Sequence, residues 1–140
     1  RAADIGIMHA AIAKFRKGEN TIFRRPAVIL SGGETTVEIT GKPGRGGRNT
    51  EFLLAFALAI ENETNITALA ADTDGIDGSE NNAGAFCDGD TAIKMREKGF
   101  NPRMHLMKHD AWTAFNAVDE LFITGPTGTN VNDFRAILLN

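Results

Sequence analysis

At 140 residues, with 42% apolar and 24% charged side chains, the chain has the composition of one globular domain large enough to bury its own core. A net charge of −3 argues against a nucleic-acid partner, and no apolar run is long enough to span a membrane. The single cysteine, Cys87, excludes an intramolecular disulfide and a cysteine-rich zinc site; it reads as a small packed residue in a reducing, cytoplasmic setting.

Charge is spread unevenly. Residues 1–50 hold nine Lys/Arg and four Asp/Glu, whereas residues 51–140 hold six and fourteen. Two readings follow: a basic face in the first third, or an asymmetry that disappears on folding. The chain opens at Arg1 directly into a helical pattern with no signal peptide, and reads as a piece of something longer.

In chain order, the first segment places Ile5, Met8, Ile12 and Phe15 three and four apart, one apolar stripe on a helix that ends in a basic turn and Gly18. Val28–Leu30 is a continuous apolar run, as in a strand buried on both faces. Gly32 and Gly33 turn the chain, and the alternating, β-branched TTVEIT (35–40) reads as a second strand. After a glycine-rich loop at 41–47, residues 49–62 form a helix that is apolar nearly all round, hence central, with Asn49 as its N-cap. Residues 65–73 form a strand that runs into a long loop rich in Asp, Asn and Gly. Three helices follow: one stopped by Gly99, a short one with Pro102 in its first turn, and one carrying Trp112, Phe115 and Val118 on one side. LFITG (121–125) and FRAILLN (134–140) close the chain as strands. The whole predicts an α/β fold, a layered, mixed β-sheet flanked by helices in a single domain.

Four polar, glycine-containing loops hold the candidate chemistry, since strand ends gathered at one edge of an α/β sheet form the usual ligand crevice. SGGET offers Gly32, Gly33 and Glu34. GRGGRN places Arg45, Gly46, Gly47, Arg48 and Asn49 at the start of the central helix, where free amides, the positive helix end and a guanidinium fork all favour an anion. The alternative is that both arginines are solvated or pair with Glu34 or Glu51. DTDGIDG sets Asp72, Asp74 and Asp77 within six residues, either as carboxylates for Mg²⁺ beside nucleotide phosphates or as tight-turn residues. GPTGTN supplies Thr127, Gly128, Thr129 and Asn130 for phosphate or hydroxyl oxygens, or simply turns the chain. His9, His105 and His109 lack any accompanying metal-site motif and read as ordinary surface or core histidines. Neither a Walker P-loop, a GxGxxG dinucleotide fingerprint nor a GxSxG nucleophile elbow is present.

Taken together, SGGETTV, GRGGRNTE, ADTDGIDGSENNAGAFCDG and FITGPTGTNVND resemble, in order and spacing, the C-terminal (MOFRL) domain of class II glycerate kinases, many of which carry the name hydroxypyruvate reductase of the tartrate-utilisation type. The likeness covers essentially the whole chain, with residues 1–25 similar to the end of the preceding domain and a linker helix, and 26–140 to the MOFRL-like domain itself. It implies the C-terminal half of a two-domain enzyme that transfers the ATP γ-phosphoryl group to D-glycerate in an interdomain cleft. Within that cleft it implies Arg48 and Asp74 as the catalytic pair. Arg48 would clamp an anion together with a lysine of the missing N-terminal domain, and Asp74 would contact Mg²⁺ or orient the substrate hydroxyl. Arg45 would add positive potential, and the Asp77 and Thr127–Asn130 loops would line the cleft. Two positions depart from the family pattern: Thr50 where Gln is usual, and Asp72 where a small residue is more common, so the metal expectation rests on Asp74. ATP and Mg²⁺ are the implied cofactors, glycerate or hydroxypyruvate the small-molecule substrate, and the N-terminal domain the partner, with a homodimer left open. The isolated chain is expected to be inactive. An NAD(P)H-dependent hydroxypyruvate reductase domain and a non-catalytic module binding a small anion or a partner remain the alternatives.

Overall fold

The run FLLAFALAI is apolar on every side because it fills the middle of the molecule. The computed structural model describes residues 1–17 and 20–140, and side chains outside 16–21; the helix stop read at Gly18 lies outside the described residues. Helix α2 (Arg48–Ala59) spans that run, and Phe52, Leu53, Leu54, Phe56 and Ala57 are each 1% exposed or less. Helix α1 (Ala2–Lys14) packs along it with a small-residue face of Ala2, Gly6, Ala10 and Ala13. The expected stripe is not the buried one, since Met8 and Phe15 stay about half exposed. Close packing explains the exchange: a Cβ on Gly6 would lie 2.3 Å from the Phe52 carbonyl oxygen, so bulky side chains cannot occupy the face that meets α2.

Beneath the helices lies a five-stranded sheet of β3 (Ala27–Gly32), β4 (Ile66–Asp72), β5 (Gly84–Asp88), β6 (Leu121–Phe122) and β7 (Asp133–Leu139), in the order β3-β7-β4-β5-β6. Two short strands, β1 (Arg16–Lys17) and β2 (Asn20–Thr21), form a separate ladder. The α/β class holds, but the sheet is antiparallel throughout rather than mixed. Strands β3 and β4, joined through α2, do run parallel to each other, yet β7 inserts between them and is antiparallel to both. The inner face carries Ile66, Ala68, Ala70, Ala85, Cys87, Ile137 and Leu139 into the core against α2. Burial pushes the Cys87 thiol well up, as befits a packed, inert side chain.

Three strand expectations change. TTVEIT is extended but joins no ladder; its bonds run instead to Ala2, His109 and Asp133. LFITG pairs only at Leu121–Phe122. Strand β5, GAFCD, escapes sequence reading because Gly and Ala are poor strand formers outside a sheet that already needs them. Nor is Val28–Leu30 buried on both faces: β3 is an edge strand, with Val28 57% and Leu30 67% exposed. Helices α3 (Thr91–Glu97), α4 (Pro102–Met107) and α5 (Ala111–Ala117) complete the helical layer. Asn101 caps α4 by accepting the amides of Arg103 and Met104, with Pro102 at the first turn as expected.

His9 is buried between α1 and β3. Its Nδ1 donates to the Ile5 carbonyl at 2.8 Å, which leaves Nε2 to accept from the Ser31 hydroxyl, also at 2.8 Å. Burial, with nearby Arg135, pulls its pKa below the ordinary value despite the Ile5 bond.

Two outcomes follow. Gly6→Ala lowers stability in urea by about 1–3 kcal/mol, because the Phe52 backbone must retreat. The folded state takes up less proton at His9 than the unfolded chain does, so part of the stability is lost as pH falls through about 6.5. His9→Gln shows a smaller loss between about pH 7.5 and 5.5 in paired urea titrations.

Candidate functional site

The four loops converge at the sheet edge formed by the end of β3, the end of β4 and the start of β7, beside the N-terminus of α2. Asp77 organises the meeting. It is 2% exposed, and its carboxylate accepts the Asn49 and Thr50 amides at 2.9 and 2.8 Å and the Asn49 side-chain amide at 3.2 Å. Burial pushes its pKa up, opposed by these bonds. The anion at the helix N-terminus is thus a side chain of the protein itself.

Most amides of GRGGRN, read from sequence as free, are likewise taken up within the chain. Gly46 donates to the Ser79 hydroxyl, Gly47 to the Thr50 hydroxyl, Arg45 to Asp110, and Asn49 and Thr50 to Asp77. The helix starts at Arg48 with Gly47 as N-cap, so Asn49 lies inside the first turn rather than capping it. The glycines serve backbone-to-backbone contact: a Cβ on Gly47 would sit 2.5 Å from the Asp77 carbonyl carbon, and one on Gly78, at φ +73°, 2.3 Å from the Gly46 carbonyl oxygen. Thr50 has a local task too, closing the helix entry through its hydroxyl to Gly47.

Arg48 stands where the loops meet. Its Nη2 donates to Asp133 at 3.1 Å and Asp72 at 3.3 Å; its Nη1 donates to Glu34 at 2.8 Å. Asp133 is fully buried and Asp72 nearly so, whereas the Glu34 side chain is 57% exposed. Burial alone pulls the guanidinium pKa down, but Asp133, Glu34 and Asp72 more than offset it. Burial, Asp74 and Asp133 push the Asp72 carboxyl up. Around one guanidinium, then, stand three carboxylates, of which one is free to swing away. Arg48 Nε and Asn49 Oδ1 are buried without a partner among the described residues.

The remaining candidates separate. Gly32 and Gly33 carry the chain from β3 to Glu34, and their carbonyls accept from the buried Arg135. Asp74 is half-buried; its Oδ1 accepts the Ile76 amide and its own amide donates to Asp72. Thr127 ties the last loop to this one, donating its amide to the Asp74 carbonyl and its hydroxyl to the Thr73 carbonyl. Gly128, Thr129 and Asn130 are exposed at the rim. Arg45 turns away: it forms a two-pronged pair with Glu80 and stacks on Trp112, 3.8 Å from the ring centre. Sequence reasoning missed Asp133, although it lies in the last quoted motif, and passed over Asp72; both hold Arg48. Acidic residues placed at paired strand ends, Asp72 opposite Asp133, were the available signal.

A pocket of about 290 Å³ opens beside Arg48, lined among others by Val37, Ile39, Pro43, Glu51, Asp72 and His109. The extended 35–40 segment, rather than serving as a strand, lines this pocket. His109, read from sequence as an ordinary histidine, donates to Glu51 at 2.6 Å while the Thr40 amide donates to its other nitrogen, so it fastens that segment to α2. No group of three or more His, Cys, Asp or Glu is placed to hold a metal among the described residues, and no helix is long and apolar enough to cross a membrane.

With this geometry in view, comparison with known proteins is specific. The MOFRL family pattern matches residues 27–133. A protein of Agrobacterium vitis named "Putative hydroxypyruvate reductase" is 51% identical over 99% of this chain and 36% of its own length. The D-glycerate 2-kinase of Thermotoga maritima is 40% identical over 94% of this chain and 31% of its own. The crystal structure of a glycerate kinase from Thermotoga maritima superposes on all of this chain with a TM-score of 0.95 at 38% identity, over 34% of that protein. The chain therefore spans about a third of the length of the curated relatives it matches.

Asp77→Ala strands the Asn49 and Thr50 backbone amides at the start of α2, while the Asn49 side-chain amide keeps its bond to Asp133. It is expected to cost about 1–3 kcal/mol in urea unfolding, with Asp77→Asn, which keeps an acceptor, costing less.

Proposed function

The chain belongs to the MOFRL family, and on that footing we propose that it supplies one wall of the active site of an ATP-dependent glycerate kinase. The observation that carries the reading is Arg48, anchored from behind and exchangeable in front. Asp133 and Asp72 fix one end of the guanidinium plane, and a buried carboxylate does not leave. Glu34, on the outer nitrogen, is solvated and weakly held. A glycerate carboxylate or a phosphate oxygen replaces it there, gaining a charge-assisted bond to a preoriented donor. In phosphoryl transfer the protein mainly positions groups and stabilises charge, which is what a fixed arginine at a loop convergence does.

The carboxylates set a condition on this. Arg48 and the buried Arg135, 4.0 Å from Asp133, face Glu34, Asp72 and Asp133; with Glu34 displaced the two guanidiniums match the two buried carboxylates, and an added anionic substrate calls for further positive charge. The remaining two thirds of such a protein supply it as a cationic side chain, and Mg²⁺ bound to nucleotide phosphates supplies it as well. Asp74, with one carboxylate oxygen on the Ile76 amide, would be the protein contact of a Mg²⁺ held chiefly by nucleotide phosphates, and the metal would there offset phosphate charge. Arg48 then orients the acceptor, and Asp72 and Asp133 keep Arg48 in place.

A second reading, reduction of hydroxypyruvate with NAD(P)H, draws on the printed name of the Agrobacterium relative. The dinucleotide fingerprint that this reading needs is not in this sequence and would have to lie in the rest of such a protein.

Full-length protein incubated with glycerate and ATP is expected to release ADP, and with hydroxypyruvate and NADH to consume none. Arg48→Ala in that protein lowers kcat/KM for glycerate by about a hundredfold or more. Turnover with an unchanged KM for glycerate in the variant would remove Arg48 from the site. NADH loss without ADP release would replace the kinase with the reductase.

A further inference from the structure

The outer face of the sheet presents an apolar surface where a solvated antiparallel sheet would carry polar side chains. Leu30, Ala136, Leu69 and Phe86 lie side by side across four strands. Val28, Leu138 and Phe134 flank that row, and Phe86 packs on Phe122 with ring centres 4.9 Å apart. Yet Val28, Leu30, Phe86, Phe134 and Leu138 are between 38% and 67% exposed. Among the described strand residues of this face, the polar side chains Thr67 and Asp88 stand together at one margin. A contiguous apolar patch of this kind marks an interface. The strand sequences agree, because β3 is apolar on both faces, as a strand covered on both sides would be.

We propose that this face is an intramolecular interface, covered in the full-length protein by apolar side chains from the part of the chain outside these 140 residues. It lies across the sheet from the helical layer and is independent of whether the loop edge serves a kinase. Relatives carry about two thirds of their length beyond the region matched here, so a covering layer of sufficient size exists in them. A second copy fits less well. Apolar side chains are exposed off the sheet as well, at Ile7 (53%) and Met8 (47%) on α1 and at Phe15 (49%) just after it. A two-fold contact pairs one patch with itself and leaves the other in water. A tethered partner about twice this chain's size reaches both, at the high effective concentration that a linker provides.

Thiol labelling of the full-length protein tests this. Leu30→Cys and, as a second variant, Val28→Cys are reacted with a maleimide in the native state and in urea; the buried Cys87 contributes only in urea and is subtracted with the parent protein. The expected result is native-state protection of both positions by about tenfold or more, unchanged on about a hundredfold dilution. Labelling of both at the unfolded rate, in protein whose circular dichroism matches the parent, overturns the proposal by showing the face open to water. Protection that fades on dilution also overturns it, in favour of a second copy.

Discussion

One buried carboxylate holds the site together. Asp77 sits under the first turn of α2 and accepts two backbone amides there, so the loop after β4 and the entry to the central helix are parts of one construction. Everything nearby depends on that contact. Gly47 and Gly78 exist as glycines because the two backbones press together around it. Arg48 points to the sheet edge because the residue after it is bonded to Asp77. Asn49 then reaches from the same turn to Asp133, on a strand that is 84 residues away in sequence. A helix N-terminus that attracts anions has been filled from within, and the electropositive role passes from the helix end to the side chain beside it.

That transfer makes the charge balance of the edge intelligible. A free helix terminus would hold an anion weakly and without geometry. A guanidinium fixed by two buried carboxylates offers a planar donor in one orientation, and Arg135, 4.0 Å from Asp133, shares in balancing their charge.

Much of this was legible in the residues. The apolar run at 52–60 announced a central helix, and the four glycine-bearing loops do meet at one edge. What could not be read was which partner each polar group takes. The amides of GRGGRN looked free because Ser79, Asp77 and Asp110 are remote in sequence. Arg45 and Arg48 looked equivalent, and only folding gives one to Glu80 and Trp112 and the other to three carboxylates. The stripe on α1 misled for a different reason: period 3.6 suited two faces, and the closeness of α2 chose the one made of alanine and glycine. Strand pairing was the least visible, since a mixed sheet and this one differ only in where the last strand inserts.

That insertion has a consequence for how the molecule forms. Strand β7 is the last element of this chain and also the strap between β3 and β4, which share no ladder of their own. Until residues 133–139 are in place, β3 has no neighbour and the β4–β5–β6 ladders stand apart from it. The contacts that unite the sheet close loops of about a hundred residues, which is entropically expensive and slow. A ribosome delivering this chain would release almost all of it before the sheet could become whole, and loss of residues 133–139 would divide the sheet and take from the central helix both the Asp133 partner of Arg48 and Asn49 and the packing of Ile137 and Leu139.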